Sequence, residues 1–249
     1  MVLRILIVTA VAAEADSVAR GITFGGPGSG EFPLPGGFVL RRHADARTVV
    51  DVLVGGVGPA AAAVATATAL AHAASPASEP APYDLVVSAG IAGGFQPLAP
   101  LGSVVVSDAI VSADLGAQTP DGYLTVEELG FGRSAHTVDG PLTRRISDAL
   151  TRGDRPHTVA PVLTVSTVTG TAERAAELAR RHPGAAAEAM EGFGVAEAAA
   201  AYGVPVVEIR AVSNAVGPRD RGAWRIGQAM DALRSTFQQL SHSLFVEPT

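Results

Sequence analysis

Five polar side chains that could do chemistry follow apolar, strand-like runs in this sequence. Glu14 comes shortly after RILIVTA, Glu191 lies in the turn AMEG, and VPVVEIRAVSN contains Glu208, Arg210 and Asn214. A carboxylate can activate water or accept hydroxyl groups, an arginine can bind carboxylates, and an amide both donates and accepts hydrogen bonds. These residues are therefore the first candidates for catalysis and binding.

Each candidate also has a purely structural interpretation. Glu14 and Glu191 could be acids at helix starts, where the helix dipole favours negative charge. Arg210 lies two residues after Glu208, so both side chains share one face of a strand and could form an ion pair. Asn214 could make local turn bonds. The spacing alone leaves these alternatives open.

Two glycine-rich turns are predicted after strands, at residues 55–58 and 90–94. Their N–H groups could cradle an anion, or the glycines could simply allow close packing of strand and helix. Neither turn fits GxxxxGK[ST] or GxGxxG, so nucleotide cofactor binding is not indicated. The chain has no Cys, and its six His show no HxH or HExxH spacing, so we predict no metal and no cofactor.

The elements that position these residues alternate between strand and helix. This order predicts an α/β fold with a central, mostly parallel sheet covered by helices on both sides, and ligands at the carboxyl ends of the strands. A last helix is predicted to begin near Gly222. Its apolar residues are spaced alternately by four and three, which predicts one buried face formed by Ile226, Met230, Leu233, Phe237, Leu240 and Leu244. Strands are predicted at 2–9, 48–54, 103–111, 158–166 and 204–214, and a strand followed by a turn over 84–94. Helices are predicted at 141–152 and 171–182, a loop at 21–37 and irregular chain at 112–136.

The composition favours one buried globular domain over residues 1–249, with 47% hydrophobic and 17% charged residues. The net charge of −6 argues against nucleic-acid binding. No run approaches the roughly 20 apolar residues of a membrane helix, and the start lacks the long apolar stretch of a signal peptide. The absence of Cys fits a cytoplasmic protein, which is the location we expect.

Four segments resemble the nucleoside phosphorylase and nucleosidase superfamily, in particular its 5′-methylthioadenosine/S-adenosylhomocysteine nucleosidase branch. They are AVAAEAD, GIAGGFQPLAPLGSVVVSDA, the AMEG turn and VPVVEIRAVSN. Within the superfamily, TVSTVTGTAER and RAVSNAVGPRDRGAW look most similar to the futalosine hydrolases of menaquinone biosynthesis. The resemblance implies a three-layer αβα fold with a mixed, mostly parallel twisted sheet, and cleavage of a purine nucleoside by water.

The resemblance also implies roles for the candidates. Glu14 matches the carboxylate that activates the attacking water, and Arg210 matches an arginine that helps to hold it. Met190 and Glu191 match the ribose contacts, with the carboxylate accepting the 2′- and 3′-hydroxyls. The nucleosidases carry a serine near the water where this chain has Ile91, so water placement is expected to depend on Glu14, Arg210 and backbone N–H groups.

Asn214 takes the position of the purine-protonating aspartate of the adenine-specific enzymes. An amide cannot act as the acid, but its NH2 group can donate to N7 and to a 6-oxo group, which suits hypoxanthine better than adenine. Ala92 and Gly93 are further substrate-binding candidates. Thr169 and Thr171 lie where a loop backbone is expected to contact the purine edge.

The same comparison favours hydrolysis over phosphorolysis. Phosphorylases of this superfamily have an arginine in the first loop, whereas TAVAAEAD has no basic residue. The main prediction is futalosine hydrolysis with release of hypoxanthine. An adenine-directed nucleosidase, a purine nucleoside phosphorylase and a non-catalytic nucleoside sensor are the alternatives.

The 5′ end of the substrate and the assembly are the least constrained expectations. Futalosine ends in a benzoate, and GPRDRGAW offers Arg219 and Arg221 for its carboxylate and Trp224 for its ring. Both arginines could instead be solvated, with Trp224 anchoring the last helix. The family implies a homodimer or a higher homo-oligomer, with a purine nucleoside as the small-molecule partner.

Overall fold

The computed structural model describes residues 2–75 and 82–243, in which strands and helices alternate. The strands are β1 (Leu3–Thr9), β2 (Gly30–Pro33), β3 (Val39–Ala44), β4 (Thr48–Val54), β5 (Leu85–Gly94), β6 (Val104–Val106), β7 (Ala109–Ser112), β8 (Gly116–Thr119), β9 (Gly122–Thr125), β10 (Ala135–Thr137), β11 (His157–Val159), β12 (Val162–Thr164), β13 (Ala187–Ala189) and β14 (Val206–Ala215). The helices are α1 (Ala12–Gly21), α2 (Pro59–Ala74), α3 (Gly140–Arg152), α4 (Ala172–Arg181), α5 (Gly192–Ala201) and α6 (Ile226–Ser241), with 3-10 turns at Pro35–Gly37 and Arg221–Ala223.

Twelve of the described strands form one mixed sheet around β5. β1 pairs in parallel with β4 and β5, and β5 pairs in parallel with β14 along most of its length. β3 and β4, β5 and β13, and β6 and β14 are antiparallel pairs. The carboxyl ends of β1, β4, β5 and β14 therefore lie at the same side of the sheet, where the sequence predicts the site.

Alternating residues of β1 pack into opposite helical layers. Ile5 and Ile7 belong to the core that contains residues of α1, α3 and α6, whereas Leu6 and Val8 pack with residues of α2 and α5. A strand buried on both faces has this near-continuous apolar sequence. The predicted three-layer αβα fold is confirmed.

Several predicted boundaries are wrong. The segment 90–94 is the second half of β5 and not a turn, because β14 continues to pair with it as far as Gly94. The predicted strand 103–111 is two strands separated by Ser107 and Asp108, and 158–166 is interrupted by Ala160 and Pro161. Proline lacks the N–H that a continuous ladder requires.

Two segments expected to be irregular contain strands. The Gly/Pro-rich segment 21–37 includes β2, which pairs with β3 at an edge of the sheet, and 112–136 includes the separate hairpin β8–β9. Pairing at an edge or in a short hairpin tolerates glycine and proline that a central strand would not.

The last helix begins at Ile226 instead of near Gly222, because residues 221–223 form a 3-10 turn capped by the Asp220 carboxylate. Ile226 is 43% exposed because it lies in the first turn, ahead of the buried part of the helix. The other residues predicted on its buried face are half-buried or buried, except Leu244, which lies outside the described residues: Met230, Leu233, Phe237 and Leu240.

A buried charge network joins β1, β3 and β4 and shares no residue with the candidate site. The Asp51 carboxylate is fully buried and accepts hydrogen bonds from Arg4, Arg42 and the Tyr83 hydroxyl. A buried carboxylate is stable only when its oxygens are paired in this way. None of the helices in the described ranges is long and apolar enough to span a membrane.

Candidate active site

Glu14 is a buried carboxylate at the start of α1, with only 3% of its surface exposed. Its Oε2 accepts the N–H groups of Ala10, at 3.0 Å, and Val11, at 3.3 Å, and its Oε1 accepts the N–H of Ile91 at 2.9 Å. The N–H of Ile91 is therefore directed at the Glu14 carboxylate. Glu14 also caps its own helix, as its structural interpretation predicts.

Burial raises the pKa of the Glu14 carboxyl above its usual value, although Arg210 and the N–H of Ile91 oppose the shift. A carboxylate with a raised pKa is a stronger base than an exposed one, which suits proton transfer near neutral pH.

Gly90 explains how the side chain of Arg210 comes near Glu14. Gly90 and Arg210 are directly opposite each other in the β5–β14 ladder. A Cβ at Gly90 would lie 2.6 Å from Arg210 Nη1 and 2.6 Å from Glu14 Oε1. This glycine serves close approach of two charged side chains and not a phosphate cradle.

Arg210 is a buried guanidinium held by carboxylates on two sides. Its Nε donates to Glu208 Oε1 at 2.7 Å, and its Nη2 lies 3.1 Å from Glu191 Oε2 and donates to Ser88 Oγ at 3.2 Å. Burial alone would lower the pKa of Arg210, but these carboxylates together with Glu14 outweigh it and raise the pKa. The ion pair with Glu208 and proximity to Glu14 are thus both present.

The AMEG turn brings Glu191 to the same cluster. Glu191 is 6% exposed, and its Oε1 accepts the N–H of Gly58 at 3.2 Å. The predicted glycine turn at 55–58 and the AMEG turn therefore meet at this carboxylate. Met190, beside it, is half-buried.

Asn214 is directed by a β-bulge. The β5–β14 register shifts between Val212 and Asn214, so Ser213 is the extra residue and Asn214 pairs with Gly93. Bulges redirect side chains next to many active sites. The Ser213 hydroxyl lies within hydrogen-bond distance of Asn214 Oδ1, at 2.8 Å, and of the Ala92 carbonyl, at 3.2 Å.

The amide of Asn214 is oriented by these contacts. Its Oδ1 accepts from Ser213, and its Nδ2 donates one hydrogen to the Ala215 carbonyl at 3.0 Å. An amide nitrogen has two hydrogens, and the second donates to no residue within the described part of the chain. Ala92 and Gly93 form the strand edge along which this amide lies.

Glu188, which is not among the predicted site residues, holds the loop before α4 by hydrogen bonds. Glu188 Oε1 accepts the N–H of Thr169 at 2.8 Å, and its Oε2 accepts the Thr169 hydroxyl. Burial raises the pKa of the Glu188 carboxyl, opposed by these two hydrogen bonds. Thr171 caps α4 by accepting the N–H of Arg174 at 3.2 Å. The N–H and the hydroxyl of Thr169 thus both donate to Glu188, whereas the Thr171 hydroxyl accepts a hydrogen bond and donates none within the described residues. Contact with a purine would therefore fall to Thr171 or to other backbone groups of this loop.

Arg219 and Arg221 lie in the exposed loop that follows β14. Their guanidinium carbons are 5.3 and 5.8 Å from the centre of the Trp224 ring. Trp224 is half-buried, so it is not the core anchor of the alternative interpretation. The N–H of Arg225 donates to the Ser213 carbonyl at 2.7 Å, which ties the end of this loop to the residue beside Asn214.

The structure thus brings Glu14, Glu191 and Arg210 together. Asn214 lies four residues after Arg210 in the same strand, β14. Ser88 and Ser213 were not singled out, although Ser88 lies two residues before Gly90 and so shares its strand face. Within residues 2–75 and 82–243, no group of three His, Cys, Asp or Glu could hold a metal ion.

Comparison with known proteins shows the family of this chain. A family model described as the phosphorylase superfamily matches residues 4–245. The chain is 58% identical over 239 residues to a futalosine hydrolase from Streptomyces coelicolor, covering 96% of this chain and 95% of that protein. The chain belongs to the futalosine hydrolase family of the phosphorylase superfamily.

Solved structures agree on the fold. The structure of futalosine hydrolase from Helicobacter pylori matches with a TM-score of 0.79 at 17% identity, covering 96% of this chain and 97% of that chain. A 5′-methylthioadenosine/S-adenosylhomocysteine nucleosidase from Neisseria meningitidis, in complex with methylthio-immucillin-A, matches with a TM-score of 0.77 at 18% identity, covering 96% and 99%. The fold is therefore common to the futalosine hydrolase family and the nucleosidases. The difference between their substrates must come from individual side chains in the site and not from the fold.

Proposed function

We propose that this chain hydrolyses the N-glycosidic bond of futalosine and releases hypoxanthine and dehypoxanthine futalosine, a step of menaquinone biosynthesis. The observation that supports hydrolysis most strongly is the buried Glu14 carboxylate, held by three backbone N–H groups beside Arg210. Identity of 58% to the Streptomyces coelicolor enzyme over almost the whole chain supports futalosine as the substrate.

In the proposed reaction, Glu14 accepts a proton from water as the water attacks C1′. Arg210 forms ion pairs with Glu191 and Glu208 but not with Glu14, and we propose that the water occupies the gap between Glu14 and the guanidinium. Cleavage develops positive charge on the sugar and negative charge on the purine, so the protein must stabilise both.

Glu191 is the proposed ribose contact, with its carboxylate accepting the 2′- and 3′-hydroxyls and Met190 beside the sugar. The free N–H of Asn214 donates to the purine, where it stabilises the leaving base. Ala92, Gly93 and the loop at Thr169 and Thr171 complete the proposed substrate contacts.

The choice of water over phosphate follows from charge. A carboxylate at Glu14 repels an anionic nucleophile, and the loop TAVAAEAD offers no cation to offset that repulsion. The neighbouring Glu191 and Glu208 add to the negative charge around Arg210. This arrangement favours a neutral nucleophile.

We also propose that Arg219 and Arg221 bind the benzoate carboxylate of futalosine and that Trp224 packs on its ring. The support is the position of the two guanidinium groups over one half-buried indole. Arginine can bind a carboxylate through two parallel hydrogen bonds, and aromatic faces favour cations and flat rings.

The chain is proposed to act as one domain over 1–249, as a cytoplasmic homodimer or higher homo-oligomer. The family match over 4–245 and the single twelve-stranded sheet support one domain. The homo-oligomeric state is proposed from the resemblance to the superfamily alone.

Incubation of the purified protein with futalosine, inosine and methylthioadenosine tests the substrate. We expect futalosine to have the highest kcat/KM, with hypoxanthine as the released base. Preferential release of adenine from methylthioadenosine would assign the chain to the adenine-directed activity instead. Binding of nucleosides without any cleavage would indicate a sensor.

A further inference from the structure

Glu208 is a fully buried carboxylate that the proposed reaction does not use. Its Oε1 accepts the hydrogen bond from Arg210 Nε at 2.7 Å. Its Oε2 accepts no hydrogen bond within the described part of the chain. A buried charge with one unpaired oxygen is costly, so its presence beside the site requires an explanation.

The packing around Glu208 fixes its position. Its N–H donates to Ser107 Oγ at 2.8 Å, which holds the strand at this residue. A Cβ at Gly192 would overlap the Glu208 carboxylate, so the glycine of AMEG provides the space for it. Gly192 begins α5, and the positive end of the helix dipole favours the ionised carboxylate there.

The contact at Nε controls where the rest of the guanidinium points. The guanidinium is planar and its donors have a fixed geometry, so an anchor at Nε directs the two Nη groups. Nη2 then meets Glu191 and Ser88, and Nη1 lies at Gly90 next to Glu14. One contact thus orients the arginine toward both carboxylates of the proposed mechanism.

Glu208 also changes the charge of the site. Glu14, Glu191 and Glu208 surround a single guanidinium, so the ionised cluster has a net negative charge. Negative charge near the reacting sugar stabilises its cation-like transition state. Without Glu208, Arg210 would cancel more of that charge.

We propose that Glu208 is a positioning residue that orients Arg210 and adds one negative charge to the Glu14–Arg210–Glu191 cluster, which makes the site more strongly negative. The proposal rests on the proposed hydrolysis, since it assigns Glu208 a role in the same site. A purely structural ion pair would affect folding, but it would not change how catalysis depends on pH.

The test compares E208Q and E208D with the wild type and with D51N. Asp51 is also a fully buried carboxylate paired with arginine, but in the separate network, so D51N controls for general loss of stability. For each protein, kcat and KM are measured across pH on futalosine, with the folded fraction determined by circular dichroism. If the wild type does not cleave futalosine, the proposed function fails, and the same comparison is made with the nucleoside that it does cleave.

E208Q is expected to keep the hydrogen bond to Nε but to lose the charge. Arg210 is then less neutralised and stabilises the Glu14 anion more strongly, so the acidic limb of kcat/KM shifts to lower pH. The plateau kcat falls at least about tenfold, because Glu14 is a weaker base and the cationic sugar has less negative charge near it. E208D is expected to retain the wild-type acidic limb, because it keeps the charge.

D51N is expected to lower the melting temperature without moving the pH profile of the folded enzyme. An E208Q enzyme with wild-type kcat and an unmoved acidic limb would overturn the proposal. If E208Q does not fold, E208D decides. An acidic limb of E208D displaced as far as a loss of charge predicts would refute the role of the charge. A kcat equal to that of the wild type, although the side chain of aspartate is one methylene shorter and withdraws its carboxylate from Nε, would refute the role of the contact.

Discussion

Substitution of Gly90 by alanine should disable the site while leaving most of the fold intact. The new methyl group would lie 2.6 Å from Arg210 Nη1, 2.6 Å from Glu14 Oε1 and 3.0 Å from Glu14 Cδ. Such contacts are about an ångström too short, so one or both charged groups must move. Both side chains are held by hydrogen bonds, so they cannot swing into solvent.

The size of the effect follows from that displacement. Misplacing a catalytic group by about 1 Å can cost on the order of a hundredfold in rate, so we expect kcat/KM to fall about a hundredfold. Overpacking of a tight interior costs roughly 1–3 kcal/mol, so the free energy of unfolding should fall by that amount. The assays are steady-state cleavage of futalosine and urea denaturation of the same samples.

G227A is the matched control. A Cβ at Gly227 meets no atom within 4 Å, and this glycine lies in the first turn of α6. Alanine is the better helix former there, so both activity and stability should be at or slightly above wild type. A folded G90A enzyme with kcat/KM within a few-fold of wild type would refute the proposed working geometry of Glu14 and Arg210.

Three further predictions concern individual side chains. E14Q should lower kcat at least about a hundredfold with little change in KM, and near-normal turnover of E14Q would remove Glu14 from the mechanism. The wild-type kcat/KM should fall as the pH drops through a pKa above the ordinary 4.5 of glutamate, because protonated Glu14 is no longer a base. N214D should shift the kcat/KM ratio from futalosine toward aminodeoxyfutalosine, because it restores an acceptor for a 6-amino group, and an unchanged ratio would mean that another residue contacts the 6-position. R219M and R221M, tested separately, should show a raised KM for futalosine with unchanged cleavage of inosine in the variant whose arginine binds the benzoate; equal losses on both substrates would assign that arginine to folding or to the common part of the site.

The layers of the fold could be predicted because buried strands are continuous apolar runs. The apolar run RILIVTA predicts strand β1, and Glu14 is the first acidic residue after it. The extent of β5 could not be predicted, because its glycines suggest a turn. Gly90 is instead required inside the strand, where the side chains of Arg210 and Glu14 approach its backbone closely. Strand β2 could not be predicted, because glycine and proline argue against a strand. They are tolerated here because β2 lies at the edge of the sheet and, among the described strands, pairs only with β3.

The site was only partly accessible from the sequence. Resemblance to the superfamily led to Glu14, Arg210 and Glu191, which the structure brings together. Glu188 has no such motif, and its bonds to Thr169 depend on two segments meeting in space. The orientation of Asn214 depends on a bulge at Ser213, and a one-residue shift in pairing leaves no mark in the composition of either strand.

The central claim is that water, and not phosphate, cleaves futalosine in this active site. The direct measurement is the rate and the products of futalosine turnover by the wild-type protein in phosphate-free buffer and in buffer with added phosphate. The structure predicts hypoxanthine and dehypoxanthine futalosine at the same rate in both buffers. A sugar 1-phosphate formed only when phosphate is present, or no release of hypoxanthine in either buffer, would contradict it.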